Sequence, residues 1–119
     1  MRFGLAISLV LLATPLALTA KRAQPLPVPP IVQNDVRYSA EGNGQKQYVV
    51  ATDMSTGKEL WKAEIFHVDY NPDLEQDVQD VYIKELKLVN GGLLVKDEKL
   101  RCYLLDLSTR KVKKRLFCF

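Results

Sequence analysis

Between Val36 and the C-terminus, apolar and polar side chains alternate with a period of two in one short run after another. That is the pattern of strands with one buried face. "VRYSA" and "QYVVATD" flank Gly42-Asn43-Gly44, and "KELWKAEIF" follows Gly57, setting Trp61, Ala63 and Ile65 against Lys62, Glu64 and Phe66. "VYIKELKLV" ends at Asn90-Gly91-Gly92, a strong hairpin signal. "LLVKD" turns at Glu98-Lys99 into "RCYLLDL", and Ser108-Thr109-Arg110 leads into "KVKKRLF". Seven candidate strands joined mostly by short turns predict an all-β antiparallel meander. The exception is the long connection "HVDYNPDLEQDVQD". There Asn71-Pro72-Asp73 supplies a cap, a proline at the first helical position and an acid, which predicts one helical turn over 72–77 before a strand resumes at Val81.

The N-terminal third breaks this pattern. Residues 1–20 read as a secretory signal peptide: Arg2, an apolar run, then small residues ahead of Lys21. The run from Leu5 to Leu18 is 14 residues long and contains Pro15, whereas a bilayer span takes about 20. Residues 21–35 hold four of the six prolines and read as an extended, semi-rigid linker. That leaves 36–119 as a single domain, secreted or periplasmic. Loss of Arg2 with the leader leaves a net charge of about +2.

An exported chain meets oxidising conditions, which makes Cys102 and Cys118 relevant. A hairpin centred on Ser108-Thr109 places Cys102 opposite Arg115 or Leu116. Cys118 then lies at least a diagonal away, and a bulge or a frayed end is needed to bring the sulfurs together. A bridge and two free thiols both stay open on this register.

Composition is that of an ordinary globular domain, 47% apolar and 26% charged. A net charge of +3 is too small to imply nucleic acid, but the charges segregate. Arg110, Lys111, Lys113, Lys114 and Arg115 make the last strand basic, with Lys113 and Arg115 alternating against Lys114 so that charge faces both sides. This suits an edge strand protected from pairing with another chain; it also suits binding to anionic envelope polymers or lipid headgroups. Conversely, no basic residue lies between Lys62 and Lys84. Asp69, Asn71, Asp73, Glu75, Asp77 and Asp80 carry the spacing of a calcium loop. Leu74 replaces the sharp-turn glycine, Pro72 stiffens the loop, and Asp80 is shorter than the usual last ligand, so the expectation is a solvated acidic loop. His67 has no second His or nearby Cys to complete a metal set, and no paired nucleophile. No phosphate-cradling loop or nucleophile elbow is present. The residues point to a chain that is not an enzyme and takes no cofactor or metal.

The most specific pattern is Ala51-x-Asp53-x-x-Thr56-Gly57-x-x-x-Trp61. Asp53 can accept hydrogen bonds from the turn, Gly57 supplies a positive φ, and Trp61 presents a ring on the next strand. This spacing resembles the repeat of the pyrroloquinoline-quinone-type (PQQ-like) β-propellers. A degraded copy lies 53 residues on, in "LLDLSTRKVKK", where Leu104, Asp106 and Thr109 align and Arg110 and Lys114 replace the glycine and the tryptophan. The resemblance implies two blade-like sheets, with the tryptophan of one packing on the next. A closed propeller takes at least four blades, so two blades call for a stand-alone domain, an assembly of several chains or a remnant; the expected object is the stand-alone domain, with Trp61 as its anchor. The enzymes of that family hold a quinone and calcium in a central funnel with a catalytic Asp; there is no adjacent cysteine pair here and no funnel, so none of that apparatus carries over. Other members are cofactor-free scaffolds of the bacterial envelope. What the resemblance implies is an exported, non-catalytic binding or scaffold domain whose partner is a protein or an anionic envelope polymer. The alternative is a subunit or relic of a quinoprotein-type dehydrogenase.

Overall fold

A computed structural model describes residues 22–118; the leader reading of residues 1–20 lies outside them. The described chain is all-β apart from one short helix. Eight strands run in order: β1 (Ile31–Gln33), β2 (Val36–Gly42), β3 (Lys46–Asp53), β4 (Glu59–His67), then α1 (Gln76–Gln79), β5 (Ile83–Val89), β6 (Gly92–Asp97), β7 (Cys102–Asp106) and β8 (Val112–Arg115). They form two four-stranded antiparallel meanders, β1-β2-β3-β4 and β5-β6-β7-β8, each in sequence order. Neither sheet closes on itself or on the other as a barrel or propeller.

The alternation along the strands becomes one shared core. Tyr38, Val49, Ala51, Ala63 and Ile65 from the first sheet meet Ile83, Leu86, Leu93, Val95 and Leu105 from the second. Val49, Leu93, Val95 and Leu105 are wholly excluded from water, and each such side chain contributes about 1.5–3 kcal/mol on burial. Two sheets that each bury one face against the other need no third layer.

Three local departures from the alternation have physical causes. First, the end of the linker is a strand. Asn34 and Asp35 both take left-handed φ (52° and 64°) and form a two-residue loop that pairs Gln33 with Val36, so β1 extends the first sheet upstream of residue 36. Second, Phe66 is buried with the core rather than lying with Lys62 and Glu64, because the β3–β4 register shifts between Gln47 and Tyr48 and carries Phe66 to the inner face. There its ring stacks on Tyr103 at 5.2 Å. Third, the helical turn begins at Gln76, not at Pro72. Asn71 directs its side-chain oxygen to the Asp73 N–H at 2.9 Å, which makes a turn over 71–74 and delays the helix.

The seam between the sheets is fastened by polar groups. Gln47 is buried; its Oε1 accepts from the Ile83 N–H at 3.0 Å, and its Nε2 donates to the Lys46 carbonyl. Val81 N–H donates to the Gly44 carbonyl at 2.9 Å. A β-carbon at Gly42 would stand 2.1 Å from Gln47 Nε2, so the glycine makes room for the clamp.

Candidate functional site

The motif residues build a turn. Asp53 closes β3, its Oδ1 accepts from the Ser55 N–H at 2.9 Å, and its carbonyl accepts from the Gly57 N–H at 2.7 Å. Thr56 Oγ1 accepts from the Lys58 N–H, and Gly57 sits at φ 76° in open space. The turn after β7 repeats each of these bonds. Asp106 accepts from the Ser108 and Thr109 N–H groups and from the Ser108 hydroxyl, Thr109 from the Lys111 N–H, and the Asp106 carbonyl from the Arg110 N–H at 2.7 Å. The Thr109 N–H, with Ser108, holds the Asp106 carboxyl below its ordinary range. Arg110 occupies the left-handed position at φ 63°, as the alignment with Gly57 requires.

Trp61 faces the seam half-buried, packed against the core with its ring 5.9 Å from Tyr38. The Arg110 guanidinium lies 6.0 Å from the same ring, so the second turn reaches back to the tryptophan of the first sheet. Ala51 pairs with Trp61 directly across the β3–β4 ladder and is buried. Ala51, Asp53, Thr56, Gly57 and Trp61 thus hold a turn and a sheet contact.

The second half of the site is the outer face and free edge of the second sheet. β8 is an edge strand, with Lys113 opposite Leu104, Lys114 opposite Tyr103 and Arg115 opposite Cys102. Lys113 and Arg115 therefore share the outer face with Lys96, while Lys114 projects on the other side. Among the described residues, Lys111, Lys113 and Lys114 form no ion pair with a carboxylate. Cys118 folds back from beyond β8 and is disulfide-bonded to Cys102, with Cα atoms 5.4 Å apart. The bend at 116–117 supplies the reach that the strand register alone lacks.

Protein-family models, curated proteins and solved structures gave no match to this chain. The PQQ-like reading therefore rests on the two turns and the tryptophan themselves.

The acidic connection does not gather its carboxylates. Its centre is the Gln79 amide, whose nitrogen donates to the carbonyls of Asn71 (3.0 Å) and Glu75 (3.1 Å) while its oxygen accepts from the Asn71 N–H (2.7 Å). The Tyr70 hydroxyl donates to Asp80, and that bond pushes the phenol up to about 12. His67 stands exposed between Glu64 (3.2 Å) and Asp69 (3.4 Å). Among the described residues, no group of three His, Cys, Asp or Glu side chains is arranged to hold a metal.

Two polar clusters escaped the sequence reading. Asp97 is fully buried at the β6–β7 turn, accepting from the N–H groups of Lys99 and Arg101, from Arg101 Nε at 2.8 Å and from the Tyr103 hydroxyl at 3.3 Å. The available signal was a third Asp closing a strand before a tight turn. Arg22, in the segment read as linker, donates to Glu98 at 2.6 Å and to the Asp80 carbonyl at 2.8 Å, and lies over the Tyr82 ring. Burial works to raise the Glu98 carboxyl, but the bonds from Arg22 and the Tyr82 N–H outweigh it and bring it below its ordinary value. No local pattern announces such a contact.

Proposed function

We propose that the chain is an exported, non-catalytic binding or scaffold module built from two PQQ-like repeats, held to an anionic component of the cell envelope by the basic edge of its second sheet. The observation that carries this reading is a separation of roles. The motif residues are committed to turns and to the seam, whereas, among the described residues, Lys111, Lys113 and Lys114 stand on an open edge with no carboxylate paired to them. Cations that offset no acid inside the fold are available to an outside anion, and the attraction is screened by salt.

One further point supports it. Trp61 meets the second repeat through Arg110, which is the docking role the resemblance implies. Among the described residues, no helix is long and apolar enough to cross a membrane.

Retention on an immobilised polyanion such as polyphosphate tests the reading. The wild-type chain is expected to elute at raised salt, and the Lys111→Gln/Lys113→Gln/Lys114→Gln variant at much lower salt with an unchanged melting temperature. Equal elution of the two proteins would remove the edge from consideration. A quinoprotein-type subunit would instead show a new absorbance band when quinone and calcium are added.

A further inference from the structure

Three large apolar side chains stand exposed at one end of the second sheet. Leu100, in the β6–β7 turn, is 62% exposed on left-handed backbone; Leu116 and Phe117, just after β8, are 88% and 59% exposed. The register brings them together. Cys102 pairs with Arg115, so the residues just before β7 and just after β8 share that end of the sheet. Cys118 then crosses back, bonded to Cys102, with its sulfur 3.6 Å from the Leu100 carbonyl oxygen.

This arrangement is held by a covalent bond rather than by burial of its own side chains. Leu116 and Phe117 lie between the end of an edge strand and a disulfide, so they cannot swing freely away from Leu100. Large hydrophobes fixed in water at one spot are unfavourable unless something covers them.

The charges around the tip indicate what covers them. Lys99 adjoins Leu100, and Lys113 and Lys114 lie just ahead of Leu116 in the chain. Among the described residues, the carboxylates at this end are already engaged: Asp97 with Arg101, Glu98 with Arg22 and Glu85 with Lys96. What is left is an apolar tip rimmed by positive charge. A soluble polyanion would use the rim but leave three hydrophobic side chains in water. An anionic bilayer uses both, with the apolar groups at the headgroup–acyl boundary and the long cationic side chains reaching the phosphates.

We propose that this tip, Leu100 with Leu116 and Phe117 inside a ring of lysines, inserts shallowly into the surface of an anionic lipid bilayer. The proposal rests on the envelope-binding reading above and specifies its partner. The Cys102–Cys118 bridge sets the geometry, so reduction is expected to weaken insertion several-fold.

The test places a reporter at the tip of the full-length chain. Leu116→Trp adds an indole whose emission reads its own surroundings, so insertion through the apolar run at residues 5–18 does not produce the signal. With vesicles of phosphatidylglycerol and phosphatidylcholine the added emission is expected to shift to the blue and be quenched by brominated lipids. The quenching should be several-fold smaller with pure phosphatidylcholine, and lost when Leu100→Ser and Phe117→Ser are added. Leu100 is exposed, so the Leu100→Ser change alone should leave melting unchanged. Equal quenching by neutral and anionic vesicles would overturn the proposal, as would a blue shift without lipid, which would assign the tip to self-association. No quenching by anionic vesicles, with salt-dependent retention on polyphosphate intact, would sink the bilayer assignment and leave the broader reading standing. Loss of both would end both.

Discussion

The turn at Asp53–Lys58 and the turn at Asp106–Lys111 share their hydrogen bonds but not their left-handed residue, and the strands that follow share almost nothing. After Gly57 comes β4, nine residues long, with Ala63, Ile65 and Phe66 buried and Trp61 on the seam. After Arg110 comes β8, four residues long, with no buried side chain. The first hairpin is completed by packing; the second is completed by a disulfide. The same backbone turn thus forms between different neighbours, because an Asp and a Thr bond it in both places. Where the first turn has Gly57 the second has Arg110, at a cost of about 1–2 kcal/mol for an L-residue in that region. Arg110 offsets part of that cost by lying over Trp61, a contact worth about 0.5–1 kcal/mol at an exposed site.

The largest expected effect comes from removing what stands in for packing. Cys102→Ser/Cys118→Ser opens a loop with a sequence separation of 16 and should cost about 3 kcal/mol, measured by urea unfolding. Its local signature should be loss of the β7–β8 cross-strand contacts in NMR, with β3–β4 intact. If both hairpins frayed together, they would not be completed independently. Next, Trp61→Ala should cost about 2–3 kcal/mol, toward or below the low end for a buried ring because this one is half-exposed. An unchanged melting temperature would show that the ring does not hold the sheets together.

A smaller pair of changes tests the turns directly. Gly57→Val should destabilise by about 1–2 kcal/mol through the backbone alone, since nothing lies within 4 Å of the added β-carbon. Arg110→Gly should be near neutral in the wild-type chain, and should become stabilising by up to about 1 kcal/mol once Trp61→Ala has removed its partner. Additive behaviour in that cycle would mean the Arg110–Trp61 contact carries no energy. The smallest effect concerns acid. The Asp106 carboxyl is held low by the folded turn, so its contribution is present above the ordinary carboxylate range. It is lost as pH falls through the lowered value. NMR titration should follow the Asp106 carboxyl below its usual midpoint of 3.8, with the Ser108 and Thr109 amides moving in step.

Much of this was legible along the chain because it is local. Period-two alternation located seven of the eight strands, and the hairpin centred on Ser108-Thr109 correctly put Cys102 near Arg115. The seven-strand reading missed β1, because a proline-rich run reads as extended linker and three residues are too few to alternate. Phe66 was misplaced because a bulge costs no residue that a pattern can register. Gln47 and Arg22 were invisible for another reason. Their partners, Ile83 and Glu98, lie 36 and 76 residues away, and one polar side chain carries no period. The motif residues of the candidate site could be named in advance. The exposed tip could not, since its members come from two separate turns.

The Gln47 bond to Ile83 has a consequence for how motion in this molecule can be observed. Amides inside each ladder exchange with solvent when a strand frays. The Ile83 N–H is different: its acceptor belongs to the other sheet. It is released when the sheets part, even if both meanders stay whole. A single backbone position therefore serves as a gauge of sheet separation, and its exchange rate set against that of a β6 amide distinguishes a sandwich that opens like a book from one that melts page by page.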